Sequence, residues 1–196
     1  PRDMPYCCIG CKRCFLETDG TCPHEASVKP IWEALCAADL LVIPFPVYVS
    51  GMPGQLKSLL DHLACHHMVH QPDQRMFLKR AVVLSQSLRS SNKKAQNEVR
   101  ANLTWLGIPQ VRALGANLKE GYTWEELSPR RRANIEGAVK RLAAQHQNPS
   151  PVKSTLRIKL LFALCRSMMQ KRMQQKPPLS ADARYWLEQG WLRDAQ

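Results

Sequence analysis

The sequence predicts an α/β protein, a three-layer αβα sandwich built around a parallel sheet. Three observations carry that prediction. Residues 40–45 and 80–86 are short, largely apolar runs, the composition of strands buried in a parallel sheet. Between and after them lie stretches in which apolar residues recur at helical spacing. The two kinds of segment alternate, as right-handed βαβ units require.

Taken in order, residues 3–21 form a loop rich in cysteine and glycine. Residues 26–38 read as a helix with Val28, Ile31, Leu35 and Cys36 near one face, and 40–45 as a strand covered on both faces. Pro46 and Pro53 bracket a loop, after which 55–64 resume a helical pattern. Residues 80–86 are the second strand. An amphipathic helix over 92–106 is ended by Gly107 and Pro109, and 110–116 form a third, weaker strand. Ser128 caps a basic helix running to about Gln145, with Pro129 suited to its first turn. Asn148-Pro149-Ser150-Pro151 reads as a linker. It separates a domain over 1–148 from a helical extension over 149–196. Within the extension, 155–173 form a basic helix, Pro177-Pro178 break it, and Ser180 caps a last short helix through Trp186. Three strands are few for a doubly wound sheet, which usually has five with the first strand central. We therefore expect a strand–loop–helix–strand unit ahead of Pro1, in keeping with a chain that does not open on methionine.

Of the 196 residues, 44% are apolar, which excludes a disordered chain. Twenty-eight Lys and Arg against sixteen Asp and Glu give a net charge of +12, so the surface should attract anions. No apolar run reaches the length of a membrane span, and the first twenty residues have no signal-peptide core. With no export signal, clustered cysteines are read as thiolates for metal or redox chemistry rather than disulfides. The expected compartment is the cytoplasm.

Cys8, Cys11, Cys14 and Cys22 form a C-x2-C-x2-C-x7-C array. Two-residue spacings bring successive sulfurs to one side of a tight loop, and Gly10 permits the bend. Four such thiolates can hold a [4Fe–4S] cluster. Zinc is the rival, with four thiolates or with three and His24; a loop of free thiols is the third reading. Cys7 could replace Cys8. Lys12 and Arg13 would offset part of a cluster's negative charge.

Pro46-Val47-Tyr48 follows directly on the first strand, and Ser85-Gln86-Ser87 ends the second. Ligands of open α/β sheets bind outside the carboxyl ends of the strands. Two neighbouring strand ends with one aromatic could frame a flat heterocycle, Tyr48 offering a stacking face and a hydroxyl. An ordinary turn is the bland alternative.

In order, Cys8-Ile-Gly-Cys11-Lys-Arg-Cys14, Cys22, Ala38-Asp39-Leu40, Pro46-Val47-Tyr48, Leu56-Lys57 and Asp61 resemble the flavodoxin-like NADPH-dependent FMN reductase and iron–sulfur flavoprotein family. The tail Asp182-x-x-Tyr185-Trp186-x-x-x-Gly190-Trp191-Leu192 is similar to that of a bacterial subgroup, so the resemblance spans nearly the whole chain. It implies a flavodoxin-like αβα sandwich binding FMN. It implies isoalloxazine contacts from Pro46, Val47, Tyr48 and the loop near Ser85, Gln86 and Ser87. It further implies NAD(P)H or a small electron carrier as redox partner, and a homodimer. Three departures stand out. The family's phosphate-binding loop is absent, His24-Glu25-Ala26 replace a usual acidic pair, and His62 replaces a usual Arg.

His62, His66 and His70 recur at i, i+4 and i+8. We read them as a polar helix end facing solvent or a dimer partner, with a metal site as the alternative. The basic helix over 155–173 is read as packing its apolar stripe of Leu160, Leu161, Phe162, Leu164 and Met168 on the domain or on a second subunit; lying on an anionic membrane is the alternative. The function this sequence predicts is FMN-dependent oxidoreduction, with no side chain needed as acid or base. The competing class is a non-catalytic basic zinc module contacting nucleic acid, which the buried parallel strands argue against.

Overall fold

The computed structural model describes residues 3, 4, 6–17, 21–119, 121–147, 152–174 and 180–192. The expected linker at 148–151 and the break at Pro177-Pro178 lie outside the described residues. Three strands, β1 (Leu40–Pro46), β2 (Arg80–Ser87) and β3 (Gln110–Asn117), pair in parallel in the order β1-β2-β3. Leu41 registers with Ala81 and Val111, and Phe45 with Ser85 and Gly115. All three carboxyl ends therefore finish along one edge of the sheet.

Helices α1 (Arg13–Leu16), α2 (Glu25–Ala37), α3 (Gly54–His62) and α4 (Lys93–Trp105) lie in the first half of the chain. Helix α2 presents Val28, Trp32 and Cys36, one turn apart, and α4 presents Ala95, Val99 and Leu103 likewise. These stripes close on Leu41, Phe45, Ala81 and Val83, the residues of one sheet face, to make the main core. Burying such a side chain stabilises by roughly 1.5–3 kcal/mol. Lys79 is buried before β2, and its ammonium donates to the carbonyls of Cys36 and Ala38 at the end of α2, where the helix dipole favours a cation. Gly107 ends α4 at φ +100°, and a Cβ there would collide with the Phe77 ring, so only glycine fits.

The opposite sheet face is covered by α5 (Pro129–Ala144), capped as the sequence predicts by Ser128, whose Oγ accepts from Arg131 N–H at 3.3 Å. This completes the three layers. The cover is partial. Ile135 and Val139 stand across an open groove from Pro44, Pro46, Leu84 and Leu114, and Val42 on the edge strand is 51% exposed. The expectation that β1 is covered on both faces is thus corrected: apolar composition records a demand for burial, and among the described residues one face of β1 meets it.

The C-terminal part contains α6 (Leu156–Met173), capped by Thr155, and α7 (Ala181–Glu188), capped by Ser180 as expected. They build a second core. Ile158, Cys165, Met169 and Met173 of α6 pack with Ala183 and Trp186 of α7 around Met68, with Phe77, Phe162 and Trp191 at its margin. Of the expected apolar stripe, Leu161 and Phe162 pack against this core, whereas Leu160, Leu164 and Met168, in a row with Leu156, are exposed. No helix among the described residues is long and apolar enough to cross a membrane.

Candidate functional site

At the carboxyl edge of the sheet, Pro46 ends β1 and the chain turns sharply. Tyr48 N–H donates to Gly51 O at 3.0 Å and Gly51 N–H returns to Tyr48 O at 2.9 Å. The two residues between, Val49 and Ser50, both take positive φ, +48° and +62°. A β-branched residue in that region is strained, and such strain collects at ligand-binding turns. The turn holds Tyr48 and Val49 outward, 59% and 103% exposed. Beside it, Val47 N–H donates to Gln86 O at 2.7 Å, which ties the first loop to the end of β2.

The two serines behave differently from Gln86. Ser85 and Ser87 are buried and face α4: Ser85 Oγ donates to Asn92 Oδ1 at 2.7 Å and accepts from Gln96 at 2.8 Å, and Ser87 Oγ donates to Ser90 O at 2.7 Å. Their hydroxyls therefore shape the loop over 87–92, and a ligand at this edge would meet backbone and the exposed Gln86. At the end of β3, Asn117 Nδ2 donates to Ser90 O at 3.2 Å, while its Oδ1 is buried with no hydrogen-bond partner among the described residues. An orphaned buried acceptor costs free energy until something donates to it. An aromatic face, an exposed amide and an unmatched acceptor along one edge fit the ring end of a flat heterocycle such as FMN.

The cysteine loop lies on the side of α2 and α3. Gly10 and Lys12 take φ +67° and +62°, so the loop bends where Gly10 predicted. Cys8 and Cys11 are exposed, and Cys14 and Cys22 half-buried. Cys14 and Cys22 line a cavity of about 220 Å³ with Glu25, Trp32, His62 and His66. Burial raises the Cys22 thiol above its ordinary range, the His24 amide pulls it down, and the nearby Cys14 and Cys11 push it up again.

His62, His66 and His70 do not recur on one continuous α-helix. Helix α3 stops at His62 and a 3-10 turn (Leu63–His66) follows, so the i, i+4, i+8 spacing loses its meaning. The expected polar helix end facing solvent is corrected: His62 and His66 are each 5% exposed. His66 stacks on Trp32 with centroids 3.8 Å apart, and His62 contacts His24, Nε2 to Nδ1, at 2.9 Å. His70 Nδ1 meets the buried Asp182 at 2.8 Å.

Asp182 opens a set of contacts that sequence reasoning did not assign. Gln71 Nε2 donates both to Asp182 and to the Cys14 carbonyl, each at 3.3 Å. Trp186 Nε1 donates to His70 O at 2.5 Å, and the Tyr185 hydroxyl to Pro72 O at 2.8 Å. The tail motif Asp182-x-x-Tyr185-Trp186 thus grips residues 70–72, and through Gln71 it holds the cysteine loop. The motif itself was the available signal; its target was not visible.

A parallel sheet with a strained aromatic loop at its carboxyl edge defines a protein of the α/β class that takes flat or nucleotide-like ligands there. A sequence profile of the NADPH-dependent FMN reductases matches residues 3–123, and the chain belongs to that family. Two iron–sulfur flavoproteins of Methanocaldococcus jannaschii are 37% and 39% identical to it over 54 residues, 28% of this chain. The matched segment spans 27% of the length of each of these relatives. An NADH:FMN oxidoreductase solved in its apo form aligns at 20% identity over 69% of each chain, with a TM-score of 0.47.

Proposed function

We propose that the protein is an FMN-dependent NAD(P)H oxidoreductase of the cytoplasm, with an iron–sulfur cluster in its cysteine loop. The observation that carries this reading is the exposed Tyr48 loop at the carboxyl edge of the sheet, tied to the end of β2 by the Val47 N–H to Gln86 O bond, within the stretch that matches the family. Pro46, Val47 and Tyr48 would hold the isoalloxazine from one side and Gln86 from the other. Ser85 and Ser87 act behind them by fixing the 87–92 loop. When bound, FMN supplies the hydride and electron chemistry; the protein's part is to bind and orient it. Cys8, Cys11, Cys14 and Cys22 supply the soft donors a [4Fe–4S] cluster takes. A homodimer belongs to this proposal, and the exposed Leu156, Leu160, Leu164 and Met168 row supports it. The nucleic-acid module is not adopted, because such a role has no use for this loop.

The test is a visible spectrum of the purified protein offered FMN under anaerobic conditions, with flavin and iron assayed on the same sample. Retained flavin that bleaches with NADH or NADPH is expected. Tyr48→Ala should weaken FMN binding about tenfold, the loss of one aromatic stack. A protein that retains no flavin would sink the reading.

A further inference from the structure

We propose that, when the cysteine loop carries no cluster, Cys22, His24 and His62 form a mononuclear site for a divalent transition metal, zinc by its donor set. The Cys22 Sγ and one ring nitrogen of each histidine lie within 4.8 Å of one another. Tetrahedral bonds of about 2.0–2.3 Å to nitrogen and sulfur imply ligand–ligand edges of about 3.3–3.6 Å. The two imidazole nitrogens at 2.9 Å are already closer than that, so a small opening of the pair admits an ion.

The surroundings are those of a built site. His62 Nδ1 donates to the Ser58 carbonyl at 2.7 Å, which fixes the tautomer and turns the Nε2 lone pair toward His24. A metal-bound histidine is oriented in just this way, by a carbonyl on its second nitrogen. Ser58 is held in turn, its Oγ donating to Tyr6 O at 2.6 Å. The Tyr6 ring stacks on His24 at 4.8 Å with 12° between the planes. The three ligands come from two segments far apart in the chain, and Tyr6 braces both. One thiolate with two imidazoles suits zinc, a borderline ion, and leaves a fourth position toward the adjoining cavity. On binding, the Cys22 thiol proton goes to solvent and the His24 proton moves from Nδ1 to Nε2. Because Cys22 also belongs to the cysteine array, the ion and a cluster using Cys22 exclude each other.

The experiment is a Co2+ titration of the reduced, chelator-stripped protein, read by absorption and requiring no flavin. One equivalent of Co2+ should give the visible bands of a tetrahedral ion and a thiolate-to-cobalt charge-transfer band, both abolished by added Zn2+. His24→Ala and His62→Ala should each weaken binding about 100-fold or more, and Cys22→Ser should remove the charge-transfer band. Cys8→Ser and Cys11→Ser should change neither. His62 is buried, so its variant is read beside its circular dichroism, and the half-buried His24 gives an independent arm. Binding that survives both histidine variants but fails in Cys8→Ser or Cys11→Ser would overturn the site, as would failure to bind cobalt. A protein that takes up cobalt in this way but no FMN leaves the site standing and removes only the oxidoreductase proposal.

Discussion

The loop at Tyr48 and the corner at His62 are held in opposite ways. The loop is local: four consecutive residues, two of them at positive φ, closed by their own backbone hydrogen bonds and projecting into solvent. The corner is assembled from Tyr6, Cys22, His24, Ser58 and His62, and its neighbour Cys14 is reached through Gln71 from Asp182 in the last helix. A ligand platform can store strain locally because the strand beneath it is rigid. The metal proposed for the corner would need its donors fixed in three dimensions, and remote elements brace them.

That contrast predicts which substitutions are felt where. The largest effect is expected for Trp186→Ala. Trp186 is fully buried in the second core, and its loss should destabilise the protein by about 3–5 kcal/mol in chemical denaturation. If the two regions are braced separately, amide exchange should rise around residues 70–72 while the Tyr48 turn is unchanged. Asp182→Ala comes next. It removes the acceptor of His70 and Gln71 and should cost about 2–3 kcal/mol. Faster exchange in the cysteine loop should accompany that loss; an unaltered loop would show that Gln71 holds Cys14 unaided. The smallest effect is a gain. Val49→Gly relieves a β-branched residue at φ +48° and should stabilise the protein by about 1 kcal/mol, with the His62 corner unaffected. A loss of stability there would mean that the turn is not strained.

Sequence patterns gave away what is local. The strands, the caps at Ser128 and Ser180, the glycine bend in the cysteine loop and the position of Tyr48 all follow from a few neighbouring residues. What depended on distance was hidden. His24 and His62 stood out one by one as departures from a familiar pattern, but their meeting depends on where α3 lies against the cysteine loop. The histidine periodicity misled because α3 ends where the period was assumed to continue. The apolar run of β1 said nothing of its place in the sheet, and so its exposed Val42 was not foreseen. Ser85 and Ser87 alternate with Gln86 across the strand, and only the location of α4 shows which face each serves.

The Asp182–Gln71–Cys14 link also bears on how the protein is made. The cysteines leave the ribosome well before α7 exists, and α7 carries the carboxylate that steadies Gln71. During synthesis the loop therefore lacks its most distant brace. Loading of the proposed metal should be completed only once α7 has emerged and docked, and a nascent chain stalled before Asp182 should take up metal poorly.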